Sequence, residues 1–245
     1  RSALPGVRAM DKDSPKSVVC FGDSNTWGAS GRLAEQGTRL PFAARWTTLL
    51  QRRLGADAVV LPEGLNGRTT ILDDPHNWMN NGSAGVGANG RRYLLPCLHS
   101  HKPVDLVVLG LGCNDLKMRF ALSPAEIAKG CKLLIHDIKM SGCGPSPGTP
   151  PTVVLVSPPL VRMTEAHPDF GPERERRAAG TIAAYRQLAE EEGLSFVNLT
   201  DVQTSEDGLH FDEAGAAKIA AKVAEKVAAA LGLPDDAAAA DGGPP

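Results

Sequence analysis

Five short apolar runs, at residues 18–21, 58–61, 104–111, 153–157 and 195–199, recur at long intervals along the chain. Several are nearly continuous Val/Leu tracts without polar alternation, the pattern of strands buried on both faces of a parallel sheet. Helical patterns fill the gaps. Residues 42–54 place apolar side chains at helical spacing and stop at Gly55, a residue suited to the left-handed position just past a helix. Residues 127–140 follow Ser123-Pro124-Ala125-Glu126. That tetrad reads as an N-cap serine, a proline at the first helical position and a glutamate closing a capping box. A charged helix over 173–192 ends at Gly193, and Asp212 can cap a last helix that runs to Gly232. Strands alternating with helices predict a doubly wound α/β domain.

The chain has 245 residues and 42% hydrophobic composition, and no internal repeat divides it, so one large core is within reach. The expected organisation is a flexible segment at 1–16, a single domain over 17–232 and a disordered tail at 233–245. Residues 73–90, rich in Asn and Gly, and 141–151, rich in Pro and Gly, read as loops. A loop of the first length is often functional.

Several classes are excluded. A net charge of −2 without a Lys/Arg cluster offers no field for nucleic acid. No run of about 18 apolar residues exists to span a membrane, and the N-terminal stretch lacks the apolar centre of a signal peptide. The five cysteines, Cys20, Cys97, Cys113, Cys131 and Cys143, are odd in number and lack metal-type spacing. Reduced structural thiols are the expectation; they lean toward a cytoplasmic location, which the sequence leaves open.

Three motif matches fail on context. Gly144-Pro145-Ser146-Pro147-Gly148 fits the nucleophile-elbow pattern, but it follows a helix and precedes a strand, the reverse of what the elbow requires. Gly85 to Gly90 fits the dinucleotide fingerprint without a strand leading into it. His99 and His101 have ligand-like spacing, yet no carboxylate or cysteine pattern completes a site. No metal and no cofactor are expected.

One constellation survives. In open α/β sheets, sites gather beyond the carboxyl ends of the strands. After the first strand comes Gly22-Asp23-Ser24-Asn25, and after the second Glu63 to Thr70, containing Gly67. After the third comes Gly112-Cys113-Asn114-Asp115, and after the last Asp207-Gly208-Leu209-His210. A serine hydroxyl needs a base to become a nucleophile. His210 is the histidine placed after a strand and just before a helix cap, and Asp207, three residues earlier, can fix its tautomer. The Ser24 and Gly67 backbone N–H groups and the Asn114 amide are candidate donors to an oxyanion. Asp23 and Asp115 are expected to order loop backbone rather than react.

These four blocks resemble those of the SGNH hydrolase superfamily, the GDSL-type esterases, named for Ser, Gly, Asn and His. The resemblance runs from Ser17 to Gly232 in the right order. It implies Ser24 as nucleophile, His210 as base and Asp207 as its partner, with Ser24, Gly67 and Asn114 as oxyanion donors. It also implies a flavodoxin-like three-layer α/β/α sandwich around a parallel five-stranded sheet. The segments "CFGDSNTWG", "RWTTLL", "EGLNGRTT" and "PVDLVVLGLGCNDLK" look most like the bacterial arylesterase/acyltransferase branch. That branch cleaves short acyl and aryl esters, can pass the acyl group to other alcohols, and includes octamers, so a homo-oligomer is implied as a partner state. Asn25 stands where that branch often carries Leu, which predicts a more polar pocket wall. The loop at 77–90 also departs from the branch. Trp27 is the other candidate pocket residue, and Trp46 is expected mid-helix in the core. The blocks do not encode the leaving group, so a carbohydrate-ester deacetylase or a thioesterase fits the same residues. The intact quartet of Ser24, Asp207, His210 and Asn114 speaks against a non-catalytic binding protein.

Overall fold

The computed structural model describes residues 14–35, 37–76 and 88–233. Five strands form one all-parallel sheet: β1 (Lys16–Gly22), β2 (Ala58–Gly64), β3 (Leu106–Gly110), β4 (Thr152–Val156) and β5 (Ser195–Val197), in the spatial order β2-β1-β3-β4-β5. Along each strand, side chains alternate between faces. Val19, Phe21, Val107, Leu109, Val153 and Leu155 pack with α3 (Gly90–His101), α4 (Pro124–Met140) and α5 (Arg174–Glu192). Val18, Cys20, Leu106, Val108, Val154 and Val156 pack on the other side with α2 (Trp46–Leu54) and α6 (Glu213–Leu231). Both faces are therefore covered, which explains why the strands read as unbroken apolar tracts. The result is the three-layer α/β/α sandwich, with the flavodoxin-type strand order.

The capping signals act where the sequence places them. Ser123 accepts from the Glu126 backbone N–H while the Glu126 carboxylate takes the Ser123 N–H, so the capping box of α4 is complete. Asp212 caps α6, and Gly55, Gly193 and Gly232 follow α2, α5 and α6 with positive φ. Two elements differ from the sequence pattern. Residues 42–54 do not form one helix: Arg45 is extended, its Nε bonded to the Leu40 carbonyl, and separates a 3₁₀ turn at Phe42–Ala44 from α2. Trp46 consequently opens α2 rather than lying in its middle, though it is buried. Helix α3 is not among the helices predicted from the sequence, and Pro96 sits inside it. Pro96 removes one intrahelical bond, but burial of Leu94, Cys97 and Leu98 against the sheet holds the helix together.

The chain order reverses at β1, with β2 on one side and β3 on the other, and such a switch point opens a crevice at the carboxyl ends. Here the crevice begins with three glycines in register across the sheet, Gly64, Gly22 and Gly110. The absence of side chains lets the next turn of chain, α1 (Ser24–Trp27), settle across the strand ends. A Cβ on Gly64 would collide with the Thr26 and Trp27 backbone.

Candidate active site

Ser24 is the first residue of α1, and Asp23 is its cap, accepting the Asn25 N–H at 3.0 Å. The Thr26 and Trp27 N–H groups both bond the Asp23 carbonyl. The turn after β1 is thus fixed by its own backbone, and the Ser24 side chain lies at the floor of a cleft.

Residues 205–211 bring the base to it. The Asp207 Oδ1 accepts the Leu209 and His210 backbone N–H groups, both at 2.9 Å, which curls the segment so that the imidazole meets its own carboxylate. His210 Nδ1 lies 2.6 Å from Asp207 Oδ2, and Nε2 lies 2.8 Å from Ser24 Oγ. The structure therefore joins Ser24, His210 and Asp207 in one hydrogen-bonded chain. The β4–α5 connection braces this segment: Arg162 N–H donates to the Gly208 carbonyl and Thr164 Oγ1 to the Asp207 carbonyl, each at 2.8 Å. That connection also supplies a residue without any sequence signal. His167 Nε2 lies 3.2 Å from Asp207 Oδ2, and its ring meets His210 edge-on.

Burial alone would raise the Asp207 carboxyl. Hydrogen bonds from His167 and His210, with the His210 charge, outweigh it and hold the group well below the usual carboxylate range. Asp23 and Asp115 behave in the opposite way. Desolvation pushes each up to about 6, against the backbone N–H of Asn25 for Asp23 and the Thr70 hydroxyl and N–H for Asp115. Both order backbone: Asp115 accepts from Thr70 N at 3.0 Å and from its hydroxyl, tying the second block to the third.

Gly67 and Asn114 line the same cleft as Ser24. Gly67 has φ +78°, a conformation that glycine adopts without strain. Asn114 Nδ2 donates to the Arg68 carbonyl at 3.1 Å, leaving the second N–H of that amide for the cleft. Arg68 was not singled out by the sequence, yet it binds three blocks together. Its buried guanidinium donates to the Gly22 and Glu63 carbonyls and lies over the Phe21 ring at 4.4 Å.

The cleft measures about 440 Å³. Trp27, Leu209 and Phe170 give it apolar surface, while Lys117 and Arg119 give it a charged wall. Asp74 receives two Arg119 bonds, at 2.9 and 2.7 Å, and Lys117 at 3.4 Å; Asp169 takes the other end of Arg119. Trp27 lines the cleft, and Asn25 does not. The Asn25 side chain turns under α1 toward the Leu209 carbonyl, into the layer with Trp46 and Phe211. In a one-turn helix, adjacent residues point to different sides, so the neighbour of a nucleophile need not share its pocket. The loop at 77–90 lies outside the described residues apart from 88–90.

Among the described residues, two sets of side chains converge closely enough for one metal ion: His167, Asp207 and His210, and Glu63, Cys97 and His101. The first belongs to the Ser24 chain. In the second, His101 is present without His99, which is exposed elsewhere on α3. Desolvation pushes the thiols of Cys20, Cys97, Cys113 and Cys131 up, Cys97 to about 12 with the Glu63 charge adding to burial, so none is an activated nucleophile.

A family model described as GDSL-like lipase/acylhydrolase matches residues 20–218, a span that contains the whole of this geometry. The chain belongs to the GDSL-like lipase/acylhydrolase family. Among solved structures, a carbohydrate acetylesterase from Sinorhizobium meliloti is 35% identical, with 87% of this chain and 99% of that chain covered and a TM-score of 0.77. The aryl esterase of M. smegmatis is also 35% identical, covering 88% of this chain and 100% of that one, again with a TM-score of 0.77. A lipase/acylhydrolase from Enterococcus faecalis, at 20% identity over 90% of this chain and 98% of that one, has a TM-score of 0.62 and shares the fold. No curated protein sequence matches significantly. The GDSL-like hydrolase fold and its esterase relatives make this chain an ester hydrolase; no helix among the described residues is long and apolar enough to cross a membrane.

Proposed function

We propose that the protein is a serine esterase acting on short-chain acyl or aryl esters through an acyl-enzyme. The observation that carries this reading is the continuous chain from Ser24 Oγ through His210 to Asp207, opening on a cleft that Gly67 and Asn114 also line. Ser24 attacks the ester carbonyl while His210 Nε2 takes its proton. Asp207, held ionised, keeps the Nδ1–H tautomer in place and stabilises the imidazolium. The Ser24 and Gly67 N–H groups and the Asn114 amide receive the negative charge that develops on the carbonyl oxygen. His210 then protonates the leaving alcohol, and water, or a second alcohol in a transfer reaction, resolves the acyl-enzyme.

A carbohydrate-ester deacetylase is the second reading. The wall formed by Lys117, Arg119 and Asp169, with Asp74 buried behind the two cations, favours it, because charged donors and acceptors suit a polyhydroxyl leaving group. The test is a p-nitrophenyl series from acetyl to octanoyl, run on wild type beside Ser24→Ala, with acetylated sugars in parallel. Turnover that peaks at acetyl or butyryl and vanishes in Ser24→Ala is the expected result. Faster turnover of the acetylated sugars selects the second reading. No turnover of any ester by folded protein would refute both.

A further inference from the structure

The strand-end cluster of Glu63, Cys97 and His101 lies outside the cleft that Ser24, Gly67, Asn114 and His210 line. Cys97 and His101 stand four residues apart on α3, so they share one helix face. Glu63 lies near the end of β2 and reaches α3 through its side chain, which meets Tyr93 and His101. One ligand atom from each lies within 4.8 Å of the others, and Glu63 Oε1 is 2.7 Å from His101 Nε2. The Tyr93 hydroxyl donates to Glu63 Oε2 at 3.2 Å, which orients the carboxylate from outside. Cys97 is buried, whereas the Glu63 and His101 side chains keep 21% and 29% exposure, so an ion can enter from solvent.

We propose that Glu63, Cys97 and His101 form a binding site for a thiophilic divalent cation of the Zn²⁺ class. One sulfur, one imidazole and one carboxylate match zinc and not the all-oxygen preference of Ca²⁺ or Mg²⁺. Bond lengths of about 2.0–2.3 Å in a tetrahedron put ligand atoms roughly 3.3–3.6 Å apart. The Glu63–His101 contact therefore opens by about half an ångström, which two partly exposed side chains can provide. On binding, the Cys97 S–H bond breaks, the sulfur pair goes to the metal and the proton goes to solvent. The thiolate and carboxylate together cancel the two positive charges of the ion. The fourth position is left for water. Because both elements belong to the rigid sandwich, the ion would clamp β2 to α3.

Co²⁺ substitution reads the site directly, since a cobalt–thiolate bond gives a charge-transfer absorption that nitrogen and oxygen ligands do not. The cluster of His167, Asp207 and His210 contains no sulfur and is silent in this assay. Titration of the reduced, full chain with Co²⁺ is expected to produce that band with one-to-one stoichiometry, and Zn²⁺ is expected to displace it. Cys97→Ala should abolish the band. His101→Gln should weaken binding at least tenfold while leaving esterase turnover unchanged, which shows that the variant is folded. No thiolate band in wild type, or a band that persists in Cys97→Ala, would overturn the proposal. Neither outcome depends on the esterase reading.

Discussion

Replacing Asn114 with alanine separates two quantities that the structure couples in one side chain. The Asn114 amide has two N–H groups; one bonds the Arg68 carbonyl at 3.1 Å, and the other is left for the cleft. Loss of an oxyanion donor costs roughly 10²–10³ in kcat, or about 2.7–4 kcal/mol of transition-state stabilisation. Loss of the structural bond is a separate effect. The Arg68 carbonyl gives up a buried partner, a penalty of about 1–3 kcal/mol in folding free energy. The assay is therefore double: steady-state kinetics on p-nitrophenyl acetate, and urea unfolding at the same pH. We expect kcat to fall about a hundredfold or more, KM to change little, and the unfolding midpoint to drop. The kinetic signature matters because an interaction made only in the transition state lowers kcat and kcat/KM together. An unchanged kcat with a raised KM would place Asn114 in substrate binding and remove it from the oxyanion site. An unchanged kcat and KM with a lowered midpoint would leave it a purely structural role.

Asp207→Asn should lower kcat by about 10⁴ at neutral pH, since an amide cannot hold the required histidine tautomer; a loss under tenfold would show that the carboxylate does not orient the base. Asp115, pushed up to about 6 by burial, binds its proton more tightly folded than unfolded, so its contribution to stability falls as pH rises from about 4 to about 6. Unfolding measured across that window should show Asp115→Asn gaining on wild type as pH rises; a constant offset would refute the assignment. Asp207 has the opposite sign. Its depressed folded pKa gives stability that is fully present above about pH 4 and is lost only in stronger acid. Gly64→Ala, whose new methyl meets the backbone of Thr26 and Trp27, should cost about 1–3 kcal/mol and reduce turnover by displacing Ser24; wild-type kinetics would show that α1 does not depend on that close approach.

Much of the molecule was legible in the chain because its signals are local. The apolar tracts give the parallel sheet, since strands covered on both faces need no polar alternation. Ser123-Pro124-Ala125-Glu126 sets the start of α4, and Asp212 that of α6, through bonds within one turn of backbone. The four strand-end segments, with Ser24, Gly67, Asn114 and Asp207 to His210, could be named because the carboxyl edge of such a sheet collects them. The tertiary structure alone decided which side chains meet. Asn25 adjoins Ser24 in sequence yet points away from the cleft, because the single turn of α1 turns adjacent residues to different sides. His167 reaches Asp207 across 40 positions of chain, and Lys117 reaches Asp74 across 43. Arg68 ties three strand ends together from a buried position that no periodicity marks. Helix α3 forms despite Pro96 because the sheet supplies the apolar face that the local sequence argues against. Elements follow from short-range backbone chemistry, which a sequence states directly. The partners of a side chain follow from packing between distant segments, which exists only after the chain has closed on itself.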